Sequence, residues 1–426
     1  MTDHVTTRSD ALSTKQSVTA PDVPRIQRRT LVVLIISQIF GTIGVGVAPS
    51  IGILLAGEVT DSEAWAGLAR VAGILGTATM GIPLGNLATR HGRRVALTTG
   101  WTIAGLGGLI LIAAAQWGLT VPLFVGLFLF GAGSAVTLQA RFAATDLAAP
   151  VNKARSLSLV VWMATIGMVL GPNLGVPGEA VSQLTGLTVY ASAFLIAVAF
   201  SVIAALVVLF FLRPDPMLLS DELTATKNPA PLKKSGAIRS IVNEMRDNRP
   251  ARVAIIAIVV GQVVMVSIMT MTPVHVMHEG GSLSLVGITI SLHILGMYAL
   301  APVVGLLTDR FGNRLTMTLG GFIFLLSLLI GICWAGDMTW VVISLILLGV
   351  GWSFVNVSAS ALFATAVSSE TRASSQGGVD SLANLFGALA AFASGPLMAV
   401  TSFSALSIVG VVALIPLAVV LSRPMR

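Results

Sequence analysis

Charged residues are scarce in this 426-residue sequence: only 10% of it is Asp, Glu, Lys or Arg, whereas 55% is hydrophobic. A soluble globular domain carries about a quarter of its residues as charged side chains. Too few polar groups are present to cover a water-facing surface for a chain of this length. The composition therefore excludes a soluble domain and indicates a membrane protein.

Cysteine is nearly absent as well, and the single Cys333 excludes a disulfide framework within the chain. The segments of about ten residues with alternating polarity that build transmembrane barrels are missing too. The sequence holds no Walker motif, catalytic triad or strong metal-binding array, so we expect neither an enzyme nor an ATP-driven pump, and no metal or other cofactor.

What the sequence does have is a series of apolar runs of about 20 residues, the length of a helix that crosses the hydrocarbon core. They predict an all-α polytopic membrane protein with twelve transmembrane helices, numbered here as spans 1 to 12. The predicted spans are 31–56, 64–84, 95–115, 119–144, 156–177, 188–212, 252–275, 283–307, 315–335, 339–365, 375–399 and 402–422.

The polar segments divide the chain. We expect a disordered cytosolic tail at 1–29, a first six-helix bundle at 30–212, a cytosolic linker at 213–251, a second bundle at 252–422 and a short tail at 423–426. Within the linker, "SGAIRSIVNEMRDN" places apolar residues at helical spacing, which favours an amphipathic helix on the membrane surface. A solvated linker without a helix is the alternative.

Lys and Arg residues lie in alternate loops, and the loops between them hold only the acidic residues Glu58, Asp61, Glu63, Glu179, Glu279 and Asp337. Positively charged loops stay in the cytoplasm. This distribution predicts a plasma-membrane protein with both termini in the cytoplasm. It also explains the net charge of +7 without a nucleic-acid partner.

One basic loop occurs twice. "GNLATRHGRR" at 85–94 returns as "GLLTDRFGNR" at 305–314, between spans 2 and 3 and between spans 8 and 9. Glycines at the turn permit a positive φ. The repeat predicts two pseudo-symmetric six-helix bundles that arose by duplication.

Twelve spans, a cytosolic mid-loop and this repeated loop resemble the major facilitator superfamily of transporters. The resemblance implies two bundles that rock about a central cavity, and it assigns the loop to the cytoplasmic gate. In the family, an aspartate of the loop contacts a helix start in the opposite bundle; Asp309 fits that role against span 5, whereas Thr89 stands in its place in the first half and predicts a weaker latch against span 11. The gate-loop residues are Gly85, Thr89, Arg90, Gly92, Arg94, Gly305, Asp309, Arg310, Gly312 and Arg314.

Span 5 carries a glycine array, Gly167, Gly171, Pro172 and Gly175, that is similar to the antiporter motif of the drug:proton exporter branch. Small residues let two helices approach closely, and proline bends the helix. Val176 replaces the last glycine of the motif, and Leu127 stands where span 4 of these exporters has an arginine. Ordinary helix packing is the alternative interpretation of the array.

Ionisable side chains within spans are costly and are therefore functional candidates. His293 in span 8 has an unperturbed pKa near neutrality and is a proton-coupling candidate, with a structural hydrogen bond as the alternative. Asp380 in span 11 is a second candidate, unless it pairs permanently with an arginine of the loops. Arg141, about one turn from the cytosolic end of span 4, is the third proton-coupling candidate; its alternative is a structural role, in which it could pair with Asp146 or Asp380. Arg70 in span 2 suggests a substrate contact or an outer gate, or else a side chain that extends to the membrane surface.

The resemblance places spans 1, 4, 7 and 10 around the cavity. Together with Arg70, the candidate lining residues are Gln38, Gln139, Gln262, Met269, Trp352 and Asn356. This polar but largely uncharged set suits amphipathic solutes better than sugar phosphates or dicarboxylates, which need paired arginines. His275 and His278 at the end of span 7 offer only two ligands, too few for a strong metal site.

These features predict a monomeric transporter that exports small hydrophobic or amphipathic molecules across the lipid bilayer in exchange for protons. A proton-coupled uptake symporter for a metabolite is the alternative within transport. A transporter-like receptor or assembly factor that moves no solute is the alternative from another class.

Overall fold

The structure is a computed structural model that describes residues 22–149, 152–224, 248–367 and 372–422. Within these ranges the chain is helical almost throughout and contains no strand. Eleven helices are long and apolar enough to cross a membrane. One of them, Ala64–Trp117, has 54 residues, which is about 80 Å of helix and more than twice the hydrocarbon thickness. Its backbone breaks at Gly92, so it forms two spans and the total is twelve, as the sequence predicts.

We number these spans α1 to α12 in agreement with spans 1 to 12. They comprise α1 Val23–Thr60, α2 63–91, α3 93–117, α4 Thr120–Ala143, α5 Arg155–Thr185, α6 Val189–Phe211, α7 Arg249–His278, α8 Leu283–Phe311, α9 Asn313–Cys333, α10 Met338–Ala366, α11 Arg372–Val400 and α12 Phe403–Ser422.

Several segments differ from the predicted boundaries; for example, α2 ends at 91 rather than 84, and α5 ends at Thr185 rather than 177. α1 begins at Val23, inside the predicted tail, because Pro24 is well suited to the first turn of a helix and leaves no extra backbone donor unpaired. The predicted linker contains a short helix, Pro216–Thr224. The remaining predictions for the tails and the linker, including the amphipathic helix, fall on 1–21, 225–247 and 423–426, outside the described residues.

Each half of the chain has its own apolar core. In the first half, the buried indole of Trp101 packs against Gly41 of α1 and Gly133 of α4, and its Nε1 donates to Ser37 Oγ at 3.1 Å. In the second half, α7 lies at the centre and is buried along most of its length, with Phe324 and Phe363 packed in the same cluster. Two cores of this kind are what two six-helix bundles require.

Successive spans run in opposite directions, so the loops gather at two ends. We call the end with the turns at Gly92 and Gly312 the basic end. The opposite end, which includes Asp61 and Asp337, is called the acidic end.

Candidate transport pathway

The two halves contact each other on the side of the acidic end. Asn173 of α5 donates a hydrogen bond of 2.6 Å to Ser291 of α8, and Ser291 donates to the carbonyl of Val169 at 2.5 Å. α2 and α11 are equally close, since a Cβ on Gly67 would lie 2.3 Å from the carbonyl oxygen of Ala391. These contacts close the space between the halves at the acidic end.

At the basic end the predicted latch residues make no ion pair or hydrogen bond to the other half within the described residues. Thr89, Arg90, Asp309 and Arg310 are all exposed, and the ion pairs of the described residues include none made by them. The hydroxyl of Thr89 donates to the carbonyl of Asn86 in its own helix at 2.8 Å. The predicted contacts of Asp309 with α5 and of Thr89 with α11 are therefore not made in this conformation, which is closed at the acidic end and looser at the basic end.

The repeated loops have the same backbone conformation. Gly92 has φ 87° and ψ 170°, and Gly312 has φ 86° and ψ 155°. Both angles lie in a region that L side chains avoid, which explains why glycine occupies the turn in both copies. Residues 81–90 and 301–310 also share the same residue-by-residue order of buried and exposed positions. The duplication is thus present in the structure as well as in the sequence.

Arg93 makes an ion pair that the sequence analysis missed. Its Nε lies 2.8 Å from Asp146 Oδ2, and Nη2 donates to Oδ1 at 3.3 Å. Nη1 donates to Gln139 Oε1 at 3.2 Å, while the amide nitrogen of Gln139 donates to the carbonyl of Gly81. Gln139, which we expected in the cavity, therefore binds together α2, α3 and α4 at the basic end.

Asp215 is a second residue that was missed. Its Oδ2 accepts from the backbone N–H of Arg94 at 2.7 Å, and its Oδ1 accepts from Met217 and Leu218. It thereby caps two helix starts at once, where a carboxylate opposes the positive end of the helix dipole. An aspartate between two prolines in "RPDP", directly after span 6, is the signal that could have identified this cap. In the second half Arg314 caps the end of α12, with Nη2 2.7 Å from the carbonyl of Leu421.

The glycine array of α5 lies against α1. A Cβ on Gly167 would lie 2.1 Å from Thr42 Oγ1, and one on Gly171 would lie 2.6 Å from the Cα of Gly46. Pro172 lies in a 3₁₀ segment, Gly171–Leu174, that interrupts the α-helix. Gly175 faces Leu283 of α8 in the other half. The array thus allows close packing of α5 on α1 and brings α5 against α8.

Among the predicted cavity residues, Trp352 of α10 and Gln262 of α7 meet: the indole Nε1 donates to Gln262 Oε1 at 3.2 Å. Tyr298 of α8 joins them, with its ring 5.8 Å from that of Trp352 in an edge-to-face arrangement. Sequence reasoning had not selected this tyrosine, although it is one of only two in the chain. Arg70 is half-buried, and within the described residues it has no hydrogen bond or ion pair.

Three further cavity candidates do not join this group. Gln38 and Met269 are buried, with 1% and 6% of their surface exposed, and Gln38 Oε1 has no hydrogen-bond partner among the described residues. Asn356 is half-buried on α10.

The proton-coupling candidates lie in different surroundings. His293 is fully buried; its Nδ1 lies 2.8 Å from the carbonyl oxygen of Leu345, and its Nε2 has no partner within the described residues. Asp380, by contrast, is well exposed, and its Oδ2 lies 3.9 Å from Arg141 Nη2. Of the ion pairs in the described ranges, this is the one that joins the two halves. Arg141 also lies over the ring of Phe142 at 5.2 Å.

The two histidines at the end of α7 do not form a shared site. His275 stacks on Phe403, with the ring centres 4.3 Å apart, and its Nε2 is 2.7 Å from the carbonyl of Ala335. His278 is exposed at the helix end. The described residues contain no group of three potential metal ligands.

Comparison with known proteins decides the family. The model of the Major Facilitator Superfamily matches residues 30–292 and, in a second overlapping match, residues 253–425. An uncharacterized MFS-type transporter of Bacillus subtilis, YddS, is 37% identical over 392 residues, which cover 91% of this chain and 89% of that protein. The chain belongs to the Major Facilitator Superfamily.

Two other matches agree with this membership. The riboflavin transporter RfnT of Brucella anthropi is 27% identical over 374 residues, covering 87% of this chain and 89% of that one. Among solved structures, the nucleoside transporter NupG superimposes with a TM-score of 0.70 at 16% identity, covering 93% of this chain and 98% of that one, which shows a shared fold. This superfamily member is therefore a membrane transporter by family and is not an enzyme.

Proposed function

We propose that this protein is a proton-coupled exporter of small amphipathic solutes that works by alternating access in the plasma membrane. The observation that carries the proposal is the asymmetry between the two ends. The halves are bound together on the acidic-end side by Asn173 and Ser291, whereas Thr89 and Asp309, at equivalent positions of the repeated loop, are exposed and unlatched. An arrangement of this kind is one end-state of a rocking motion.

The charge distribution supports an orientation. Among the described residues, Lys and Arg lie at the basic end except for Arg70 and Arg141, which lie within spans, and this distribution favours placing the basic end in the cytoplasm. In this orientation both termini are cytoplasmic and the conformation is inward-facing. The other end-state then requires the Asn173–Ser291 contact to open and the gate loops to engage.

Asp380 and Arg141 are the best candidates for proton coupling. They lie on opposite halves, Asp380 is accessible to solvent, and their 3.9 Å separation makes a weak ion pair that protonation of the carboxylate would release. His293 fits the role less well, because its Nδ1 is held by a backbone carbonyl and the side chain is fully buried. The proposed sequence is protonation of Asp380, loss of the ion pair and reorientation.

The proposed direction, export, is based on the likeness of the α5 glycine array to the antiporter motif. The same array also allows α5 to pack closely against α1, which is its alternative explanation. A symporter that takes up a metabolite is the alternative. The similarity to a protein named as a riboflavin transporter makes riboflavin a suitable first solute.

The test is transport by the purified protein in liposomes that contain a pH-sensitive dye. A proton gradient is imposed, and riboflavin, neutral drugs and lipophilic cations are added in turn, with protein-free liposomes as the control. Proton movement opposite to solute movement supports the exporter. Movement of protons and solute in the same direction supports the symporter. Solute movement without proton movement would show that transport is not coupled to protons. No movement of any solute favours a non-transporting receptor.

A further inference from the structure

Arg70 is a cation inside the membrane to which no described residue supplies a counter-charge. It lies about two turns from the start of α2, is half-buried, and has no hydrogen bond or ion pair within the described residues. Arginine within a span is normally paired with an acid, with backbone carbonyls or with water. An unpaired guanidinium at this depth is therefore available to a ligand.

The helix face that carries Arg70 is directed at the other half. Ala66 is fully buried in the cluster built around α7, and Gly67 contacts Ala391 of α11. Residues three and four apart lie on one face of a helix, so Arg70 follows them on that face. Gly81 lies on the same face three turns further on, and a Cβ there would meet no atom within 4 Å. On this face α4 contacts Thr77, whose hydroxyl donates to the carbonyl of Gly131, and the space beside Gly81 is open.

The charged and titratable neighbours do not neutralise Arg70. The groups of α8 that interact with it electrostatically are Tyr298 and His293. A tyrosine hydroxyl and an imidazole carry no negative charge near neutral pH. Within the described residues, Asp380 of α11 is instead placed beside Arg141.

An aromatic and amide surface in the second half includes Tyr298, which interacts electrostatically with Arg70. The rings of Tyr298 and Trp352 are 5.8 Å apart at an angle of 65°. Gln262 accepts from the indole through Oε1, which orients the indole and the amide relative to each other. Aromatic faces of this kind bind flat, conjugated molecules, and an amide adds a directional hydrogen bond.

We propose that the space between the two halves beside Arg70 binds a flat organic monoanion, with its carboxylate or a similar oxyanion on Arg70 and its ring system against Tyr298 and Trp352. The inference rests on the proposed transport function and names the class of cargo. One guanidinium matches one negative charge and binds a carboxylate in a bidentate manner. A dicarboxylate or a sugar phosphate would leave a second charge desolvated without a partner.

The test compares three probes with the same ring and different charge: 1-naphthoate, 1-naphthamide and 1-naphthylmethylammonium. Their binding to the purified full-length protein in detergent is measured by titration calorimetry. We expect naphthoate to bind at least about 10-fold more tightly than naphthamide, and the ammonium probe to bind least. Arg70→Gln should weaken naphthoate binding by about 30-fold or more and leave naphthamide binding unchanged.

Arg28→Gln is the matched control, because Arg28 is an exposed arginine at the start of α1, beside Val207 and Phe211 of α6 and at the other end of the spans from Arg70. It should bind all three probes as the wild type does. The ranking of probes on the wild type requires no variant, so a poorly folded Arg70→Gln protein leaves the test intact.

The proposal is overturned if naphthamide or the ammonium probe binds as tightly as naphthoate, or if Arg70→Gln retains the preference for naphthoate. It is also overturned if naphthoate shows no saturable binding up to roughly 1 mM, since a built anion site should bind more tightly than this. Failure of the proposed function looks different: naphthoate binds with the expected preference, but neither naphthoate nor any other solute crosses the liposome membrane.

Discussion

Asn173 and Ser291 form a hydrogen bond of 2.6 Å between the two halves of the molecule, at the point where α5 leaves α-helical geometry. Pro172 interrupts the helix and Asn173 Nδ2 reaches both Val169 and Ser291. Gly287 of α8 makes the approach possible, since a Cβ there would lie 2.8 Å from Asn173 Oδ1. The glycine array of α5 thus lies beside the contact that closes the acidic end.

Replacement of Ser291 should favour opening of the acidic end. Ser291→Ala removes an acceptor and a donor, worth about 1 kcal/mol, and should raise the ratio of outward-open to inward-open protein roughly fivefold. The measurement is the distance distribution between spin labels at Leu184 and Val400, both highly exposed at the acidic end, in a Cys333→Ser background. Ser327→Ala is the matched control, because Ser327 is hydrogen-bonded to Ser344 within one half. Equal distributions in the two variants would contradict the role of Ser291.

Introduction of the missing latch carboxylate should also favour the outward-open state. Thr89 is exposed and bonded only within its own helix, so Thr89→Asp adds a charge without disturbing the described packing. A carboxylate near the start of α11 would be stabilised by the helix dipole once the basic end closes, by about 0.3–1 kcal/mol.

The same spin-label distances test this prediction. Asp309→Asn is measured beside it as the variant with the opposite expected effect. That variant removes the latch charge in the second half and should shift the population toward the inward-open state. A Thr89→Asp protein with the wild-type distribution would show that one latch suffices.

The two turn glycines should differ in their sensitivity to substitution. Alanine at either position costs about 1–3 kcal/mol, because a φ near 87° combined with a ψ of 155–170° is a conformation that essentially only glycine adopts. Gly92→Ala should cost more than Gly312→Ala, since its Cβ would lie 2.4 Å from Asp215 Oδ2, whereas at Gly312 it would meet nothing within 4 Å.

Thermal unfolding of the purified variants in detergent measures this difference. Gly321→Ala is the control, because Gly321 is inside a helix with only an ordinary 3.8 Å contact to Leu417. It should be neutral or stabilising. If Gly312→Ala lowered the midpoint of thermal unfolding as much as Gly92→Ala, the contact with Asp215 would not contribute to the destabilisation.

The parts of the fold that sequence reasoning could predict are those with a local signal. The thickness of the bilayer sets the length of each apolar run, and the positive φ of the turns requires Gly92 and Gly312 where they stand. Arg93 and Asp146 carry no such signal, since 53 residues separate them and only the packing of α3 on α4 brings them together.

Polar residues inside spans are harder still to assign from sequence. His293 and Gln139 each find a backbone carbonyl on a neighbouring helix, of Leu345 and of Gly81. Every residue offers such an acceptor, so the sequence alone does not distinguish a residue that packs from one that faces the cavity. Arg70 is the opposite case. Its proposed role as a ligand-binding residue follows from the lack of a hydrogen-bond or ion-pair partner among the described residues.

The ion pair of Arg93 with Asp146 should contribute to stability as a unit. Both side chains are largely buried, at 13% and 15% exposure, so removing one charge leaves the other without its partner. Arg93→Gln and Asp146→Asn should each destabilise the protein by about 2–4 kcal/mol, and the double variant should cost clearly less than their sum. A double-mutant cycle by thermal unfolding tests this, and strictly additive losses would show that the pair is not coupled.

Proton coupling should depend on Asp380 and not on His293. Asp380→Asn removes the titratable group and the ion pair with Arg141, so solute-dependent proton flux in liposomes should fall to the protein-free background. Downhill movement of the solute without a proton gradient should persist, because the cavity residues are unchanged.

His293→Asn is the matched control: the amide of asparagine can donate to the carbonyl of Leu345 as the imidazole does. It should therefore retain proton flux within a factor of about three, since a structural hydrogen bond of this kind is worth only about 1 kcal/mol. The reverse outcome, with flux lost in His293→Asn and kept in Asp380→Asn, would move the coupling site from the interface of the halves into the core of the second half.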